Sequence, residues 1–258
     1  MTYVQLTFQQ QGQIAVVTLD RPEMRHAFNT VMAEELLAIF QQVNNDDVRV
    51  VILTSSTPEA FCSGADLKER KGMGDDVWRA QHKLFEEMFQ AVANIKAPTI
   101  AAIRGYALAG GFELALNTDI IIAGNNVQVG LTEVQRGIMP GGGGARLLPK
   151  RIAPHIAKEW LFTGRIVQTN EAQAAGLFNR VVPQEEVLTE ALALAEQIAE
   201  NAPIGVRGVK KVADSSNLPM AEALAIEVAT YKGVIDTEDR LEGILAFNEK
   251  RKPKFIGK

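Results

Sequence analysis

Glu113 stands three positions past Gly110 in the pair Gly110-Gly111, within a segment that is otherwise apolar. A lone carboxyl group in such a run is paired, protonated or used in chemistry. The glycine pair follows an apolar stretch, Thr99–Ile103, that reads as a buried strand closed by Arg104-Gly105. Beyond the glycines, residues 112–116 are apolar at helical spacing, which predicts strand, turn and helix. A helix beginning on glycines presents unpaired backbone N–H groups, with the positive end of its dipole behind them. Such an end holds an anion, or a carbonyl oxygen that gains charge during a reaction. A second acid, Glu133, lies shortly before the run Gly141-Gly142-Gly143-Gly144.

Several other chemistries fail on spacing. A phosphate loop needs Lys-Ser or Lys-Thr after its glycines, and Ala145-Arg146 follows here. Dinucleotide binding lacks the third spaced glycine after Gly110-Gly111. His26, His82 and His155 stand in unrelated contexts with no metal-ligand spacing, so no metal is expected. His82 is read on the polar side of its helix, and Trp78 and Trp160 as packing residues. Cys62, with no histidine near it in sequence, reads as a small buried hydrophobe without a catalytic role.

The elements that must position these residues alternate. Residues 4–8 and Ile14–Leu19 predict a hairpin, and the loop to Phe28 is broken by Pro22. Asn29 or Thr30 caps a helix to about Val43, and the β-branched run 48–53 reads as a strand covered on both faces. A long helix spans 77–95. Strand, helix and strand in this order imply crossovers with parallel pairing. After Gly144 the chain reads as almost wholly helical, with segments at 154–163, 187–201, 204–216, 219–232 and 236–250.

Composition sets the class. With 258 residues, 47% of them apolar and 22% charged, the chain forms one large domain or a domain with an appendage. A net charge of −4 argues against general nucleic-acid or acidic-membrane binding. One cysteine excludes an internal disulfide, and no apolar run is long enough for a membrane span. The N-terminal segment 1–13 reads as neither signal nor transit peptide, so a cytoplasmic setting is expected.

Three motifs in order, FCSGADL at 61–67, GYALAGGFELA at 105–115 and IMPGGGG at 138–144, resemble the crotonase superfamily, particularly the enoyl-CoA hydratases. The resemblance runs from about Val4 to Phe255. It implies an α/β fold: a crotonase-type spiral of ββα repeats over residues 1–200, then a helical C-terminal trimerisation region over 201–258. It further implies a homo-oligomer, trimers paired into hexamers, that binds an acyl-CoA thioester without a separate cofactor.

By position, the resemblance makes the Ala65 and Gly110 N–H groups the oxyanion hole for a thioester carbonyl. Glu113 and Glu133 become two acids that hold one water, Glu113 as base toward it and Glu133 as proton donor to C2. Met24, Arg25 and Ala27 are expected along the pantetheine and nucleotide channel. Ser63, Gly64, Leu67 and Lys68 belong to the substrate wall, and Asp66 to that wall or to a helix cap. Leu108, Gly111, Pro140 and Gly141 complete it. Phe247 is expected beside the acyl-pantetheine channel. Lys250, in a basic patch with Arg251, Lys252 and Lys254, is expected on the nucleotide phosphates of a neighbouring subunit.

The chain departs from the family pattern at a few positions. His26 replaces a frequent Asn, Ala109 a common Gly, and Phe112 a smaller residue. Arg146 is displaced by one place, so the ion pair it makes in the family is not expected here. The stretches ADLKER at 65–70 and 239–251 look closest to the methylglutaconyl-CoA hydratases, one of which binds AU-rich RNA through lysines of its first long helix. The matching helix here carries Glu34 and Glu35 and no lysine, which argues against RNA binding. The resemblance therefore implies hydration of a short-chain or branched 2-enoyl-CoA. The alternatives are isomerisation or another lyase reaction on the same scaffold, or RNA or acyl-CoA binding without turnover.

Overall fold

The computed structural model describes residues 3–45 and 47–258. Met1 and Thr2, which begin the N-terminal segment read above, lie outside the described residues, as does residue 46. The strands in chain order are β1 (Leu6–Gln11), β2 (Ile14–Leu19), β3 (Val50–Ser55), β4 (Ala60–Cys62) and β5 (Thr99–Ile103). They continue as β6 (Tyr106–Leu108), β7 (Ile120–Gly124), β8 (Gln128–Gly130), β9 (Val167–Gln168) and β10 (Arg180–Val182). The first helices are α1 (Thr30–Val43), α2 (Leu67–Arg70), α3 (Asp75–Ala93), α4 (Gly110–Leu116) and α5 (Gly144–Arg151). Then come α6 (Pro154–Thr163), α7 (Thr169–Ala174), α8 (Val187–Ala199), α9 (Pro203–Asp214), α10 (Met220–Ile235) and α11 (Glu238–Glu249).

Two sheets grow together. The larger has the order β1-β2-β3-β5-β7-β10 and the smaller β4-β6-β8-β9. Consecutive pairs β3 and β4, β5 and β6, and β7 and β8 each give one strand to either sheet, and β3-β5-β7 and β4-β6-β8 pair in parallel. A helix follows the first two pairs, so the chain winds as the ββα spiral that the motifs imply. The period-2 alternation of a strand divides the core. Val50 and Ile52 of β3 face Val187, Ala191 and Ala195 of α8. Val51 and Leu53 face the main core with Leu36 and Phe40 of α1 and Met88 of α3.

Local signals hold where they are long. Asn29 caps α1 by accepting the Met32 N–H, and β5 spans the predicted residues. β1 begins later than expected because the Val4 and Gln5 N–H groups donate to the Glu35 carboxylate at 2.6 and 2.9 Å instead of joining a ladder. Two expectations are corrected. The central stretch is strand, strand and helix, because β6 intervenes between β5 and α4. The chain after Gly144 is not wholly helical, because β9 pairs with β8 and β10 with β7. Strands of two or three residues are too short for a visible period, and their partners lie far away in sequence.

α9, α10 and α11 follow α8 and behave differently from the rest. No residue of α10 is buried, and Met220, Leu224, Val228 and Tyr231 are exposed. The terminus itself is pinned rather than frayed. Asp239 accepts the Ile256 and Gly257 N–H groups at 2.7 and 2.9 Å, and the buried Arg49 donates to the Phe255 carbonyl at 2.6 Å. Among the described residues no helix is long and apolar enough to cross a membrane.

Candidate active site

The ends of β4 and β6 bring the first two motifs together. Phe28 and Ala65 form a parallel bridge in which the Phe28 N–H donates to the Gly64 carbonyl and the Asp66 N–H to the Phe28 carbonyl, both at 2.9 Å. That pairing leaves the Ala65 N–H directed away from Phe28. Gly64, at φ +94°, takes a conformation that side chains resist, and a Cβ there would sit 3.2 Å from the Gly110 nitrogen. Neither the Ala65 nor the Gly110 N–H donates to a partner among the described residues. Two free donors therefore lie side by side, one at the N-terminus of α4.

The glycine pair divides its roles. Gly110 lines a cavity of about 790 Å³. Gly111 does not: its added Cβ would lie 2.1 Å from the Cys62 carbonyl oxygen, so it serves the packing of α4 on β4 and does not contact substrate with a side of its own. Ala109, before them, sits at φ +49° and ψ −128°, a conformation that glycine adopts freely and alanine at a cost of roughly 1–3 kcal/mol. Its N–H donates to the Gly130 carbonyl at 2.7 Å, which holds the strained turn in place.

Both acids line the same cavity, and both are buried. Their surroundings differ. Glu113 Oε1 accepts the Gly142 and Gly144 N–H groups, each at 2.8 Å. Burial pushes the Glu113 carboxyl above its ordinary range, and those two donors oppose the shift. Glu133, opening a short 3-10 turn Glu133–Arg136, has a buried Oε2 without a hydrogen-bond partner. Burial first, then repulsion from Glu113, raises its carboxyl to about 7. Burial raises both carboxyls, and only that of Glu113 is opposed by two backbone donors. The glycine run thus holds an acid, a role that spacing alone did not disclose.

The remaining expected residues separate into groups. Ser63, Leu67, Leu108, Pro140 and Gly141 line the cavity with Ala65 and Gly110. Met24, Arg25 and Lys68 stand beside it: the Ser63 hydroxyl donates to the Met24 carbonyl, the Lys68 amine contacts the Met24 sulfur at 3.7 Å, and Arg25 lies over the Tyr106 ring. Ala27 is buried, with its carbonyl accepting from Arg21. The Asp66 side chain caps α2. Its carboxylate accepts the Lys68 and Glu69 N–H groups and pairs with Arg21 at 2.7 Å. Burial works to raise the Asp66 carboxyl, but the Arg21 and backbone hydrogen bonds prevail and hold it below its ordinary value.

Phe247 and Lys250 do not line this cavity within one chain; Phe247 is 83% exposed, and Lys250 ends α11 in a left-handed cap. Two members of the basic patch are paired. Arg251 pairs with Glu242 at 2.7 Å and Glu249 at 2.6 Å, and Lys252 with Glu200 at 3.5 Å. His26 fills a buried position at φ +54°, where a short polar residue such as Asn is usual. Its Nδ1 accepts the Arg21 N–H, so Nε2–H faces the Thr57 hydroxyl, and burial pushes the ring below its ordinary value and keeps it neutral.

Several cavity residues escaped the sequence reading, His82, Trp78 and Arg70 among them. His82 is not on a solvated face: it lines the cavity, stacks on Trp78 at 5.2 Å, and stands where a Gly141 Cβ would meet its ring at 2.8 Å. Trp78 and Arg70 line the cavity too. The spacing of α3 could not find Trp78 and His82, because part of the wall they face, Gly141 included, comes from a loop remote in sequence. Cys62 is fully buried, and burial lifts its thiol to about 12, which suits the packing role expected for it.

Comparison with known proteins agrees over the full length. The sequence model of the family described as enoyl-CoA hydratase/isomerase matches residues 9–258. The mouse protein named enoyl-CoA hydratase domain-containing protein 2, mitochondrial, is 42% identical over 98% of this chain and 87% of its own. Mouse methylglutaconyl-CoA hydratase, mitochondrial, is 37% identical over 95% of this chain and 80% of its own. Among solved structures, an enoyl-CoA hydratase from Bacillus anthracis superposes with a TM-score of 0.96 at 38% identity, covering 99% of this chain and 100% of that one.

Proposed function

The chain belongs to the enoyl-CoA hydratase/isomerase family, and from that premise we propose that it adds water across the 2,3 double bond of a 2-enoyl-CoA thioester. The acyl groups proposed are short or branched, with the 3-methylglutaconyl group of leucine degradation among them. The observation that carries this reading is the unequal pair of buried acids in one cavity with two free backbone donors.

The chemistry follows from that arrangement. The thioester oxygen accepts from the Ala65 and Gly110 N–H groups, which favours the enolate-like charge of the transition state; one such donor contributes roughly 3–4 kcal/mol in comparable sites. Glu113, held by two amides of the glycine run, acts as the base and takes a proton as the water oxygen bonds to C3. The electrons of the double bond move onto the carbonyl oxygen. Glu133 then delivers its proton to C2 as the carbonyl re-forms, and the net result is addition of one water. The reaction draws on no metal or redox cofactor. Mixing the protein with crotonyl-CoA tests it directly, since hydration removes the absorbance of the conjugated thioester.

A pH dependence follows, with its sign fixed by the roles. Hydration needs Glu133 protonated, so kcat/KM is expected to fall by roughly tenfold per pH unit above about 7. The two acids titrate as a pair, and the limb belongs to the pair. A flat profile from pH 6 to 9 would remove Glu133 from the donor role.

The proposed assembly is a hexamer of two trimers, supported by the uncovered apolar faces of α10 and α11, where Leu241, Ile244, Leu245 and Phe247 are exposed. In that arrangement Lys250 reaches the nucleotide phosphates of a neighbour's substrate, and Phe247 packs beside its channel. Such a contact serves ground and transition states alike, so Lys250→Ala is expected to raise KM for crotonyl-CoA several-fold with kcat retained, more at low salt. A pantetheine thioester without the nucleotide should show no difference; an equal rise there would make Lys250 structural. A reducing compartment such as the cytoplasm is the proposed setting, and neither RNA nor membrane is a proposed partner.

A further inference from the structure

Arg70 is the last residue of α2, and its guanidinium is set in the cavity wall with unusual precision. Its Nε–H donates to Gln81 Oε1 at 2.9 Å. Gln81, buried on α3, cannot turn over, because its amide nitrogen donates to the Thr30 hydroxyl at 2.9 Å and to Glu69 Oε2 at 2.7 Å. The guanidinium carbon lies 5.1 Å from the ring centroids of both Trp78 and Phe85. One edge of the fork is therefore fixed and two rings hold its plane.

The other edge is free. Among the described residues, Arg70 Nη1 and Nη2 donate to no acceptor, and Arg70 makes no ion pair. The acids nearby are otherwise engaged: Glu69 accepts the Thr30 N–H and the Gln81 amide, and Glu86 lies 3.3 Å from His82. An arginine stays charged at every working pH, and a planar two-nitrogen edge in a partly apolar wall matches a carboxylate. The carboxylates that line this cavity, Glu86, Glu113 and Glu133, make no ion pair with Arg70 among the described residues, which leaves its free edge to a carboxylate of the substrate. Lys68 and Met24 lie beside the cavity, whereas Arg70 lies within it between Leu67 and the α3 rings.

We propose that Arg70 anchors the far end of the acyl group, and that the site selects 2-enoyl thioesters whose acyl chain ends in a carboxylate. This rests on the hydratase reading for the reacting end of the cavity, but the anchor is testable without turnover. The anion is also kept from the reacting end, where the Glu113 carboxylate would repel it.

The test compares glutaconyl-CoA with crotonyl-CoA, which differ in a terminal carboxylate and share the whole of CoA. The parent enzyme is expected to favour glutaconyl-CoA in kcat/KM, and Arg70→Met to lower the glutaconyl-to-crotonyl ratio by about a hundredfold, as when a built polar contact loses its partner. Arg70→Lys, which keeps charge and loses the fork, should recover only part of the ratio. An unchanged ratio in folded Arg70→Met overturns the anchor. So does an equal fall with both substrates, which would place Arg70 on CoA or in the scaffold. Calorimetry with the saturated thioesters glutaryl-CoA and butyryl-CoA separates the two readings. If the parent hydrates neither substrate yet prefers glutaryl-CoA, and Arg70→Met or Arg70→Lys loses that preference, the anchor stands and the hydratase reading falls. No preference in the parent overturns the anchor outright.

Discussion

Glu133→Gln is expected to cut kcat for crotonyl-CoA by roughly 10²–10⁴ and, at pH 8, to make the protein more stable than its parent. The activity loss follows from removing the proton donor. The stability gain follows from linkage. In the folded chain burial and Glu113 raise the Glu133 carboxyl from 4.5 to about 7, whereas the unfolded chain ionises it near the ordinary value. Between those values the folded state holds a proton that the unfolded state has lost. Its contribution is complete below the unfolded value and disappears as pH rises through about 7. The full interval corresponds to roughly 3 kcal/mol. Glutamine never ionises, so the variant escapes this loss at pH 8 and gains nothing at pH 4. Thermal melts at both values, beside crotonyl-CoA assays, check the two halves separately. Turnover at the parental rate would sink the two-acid mechanism, and a pH-independent melting difference would sink the electrostatic account. Glu113→Gln is the companion: its amide oxygen still accepts from Gly142 and Gly144, so the fold is retained while the base is lost.

Gly111→Ala is expected to destabilise the fold by roughly 3 kcal/mol or more, the upper end for overpacking of a rigid site. The new methyl would lie 2.1 Å from the Cys62 carbonyl oxygen and 2.6 Å from its carbon, and neither atom can move without shifting β4. For a chain of this size that corresponds to a melting temperature lower by about 10 °C. Gly110→Ala differs, although its methyl would also be close, at 2.6 Å from the end of the Phe28 ring. A ring can tilt, so this change should damage the cavity more than the fold. Melting curves for both, with crotonyl-CoA turnover of the soluble fraction, distinguish them. Equal melting temperatures for Gly111→Ala and the parent would mean that α4 slides easily on β4, contrary to the geometry.

Much of this molecule was legible one segment at a time. The Asn29 cap with the apolar face of α1 and the run that became β5 each carry enough local information to set an element. The motifs placed Glu113, Ala65 and Gly110, the family resemblance added Glu133 by position, and all four line one cavity. Asp66 shows the limit of that reading. Its type and spacing fit a substrate contact and a cap equally, and only the position of Arg21 across the loop decides for the cap.

What the sequence determined by itself was the set of elements with long periods or clear caps, and the identity of the residues able to react. The tertiary structure alone decided how differently the two acids are held, and why. Glu113 is held by amides of Gly142 and Gly144, far along the chain, while Glu133 Oε2 finds no donor among the described residues. It alone turned Arg70 and His82 inward, closed β9 and β10 onto distant strands, and neutralised Arg251 with Glu242 and Glu249. The physical reason is common to all of these. Helical spacing and capping act within a few residues, whereas burial, desolvation and the pairing of short strands depend on which remote segments the spiral brings alongside.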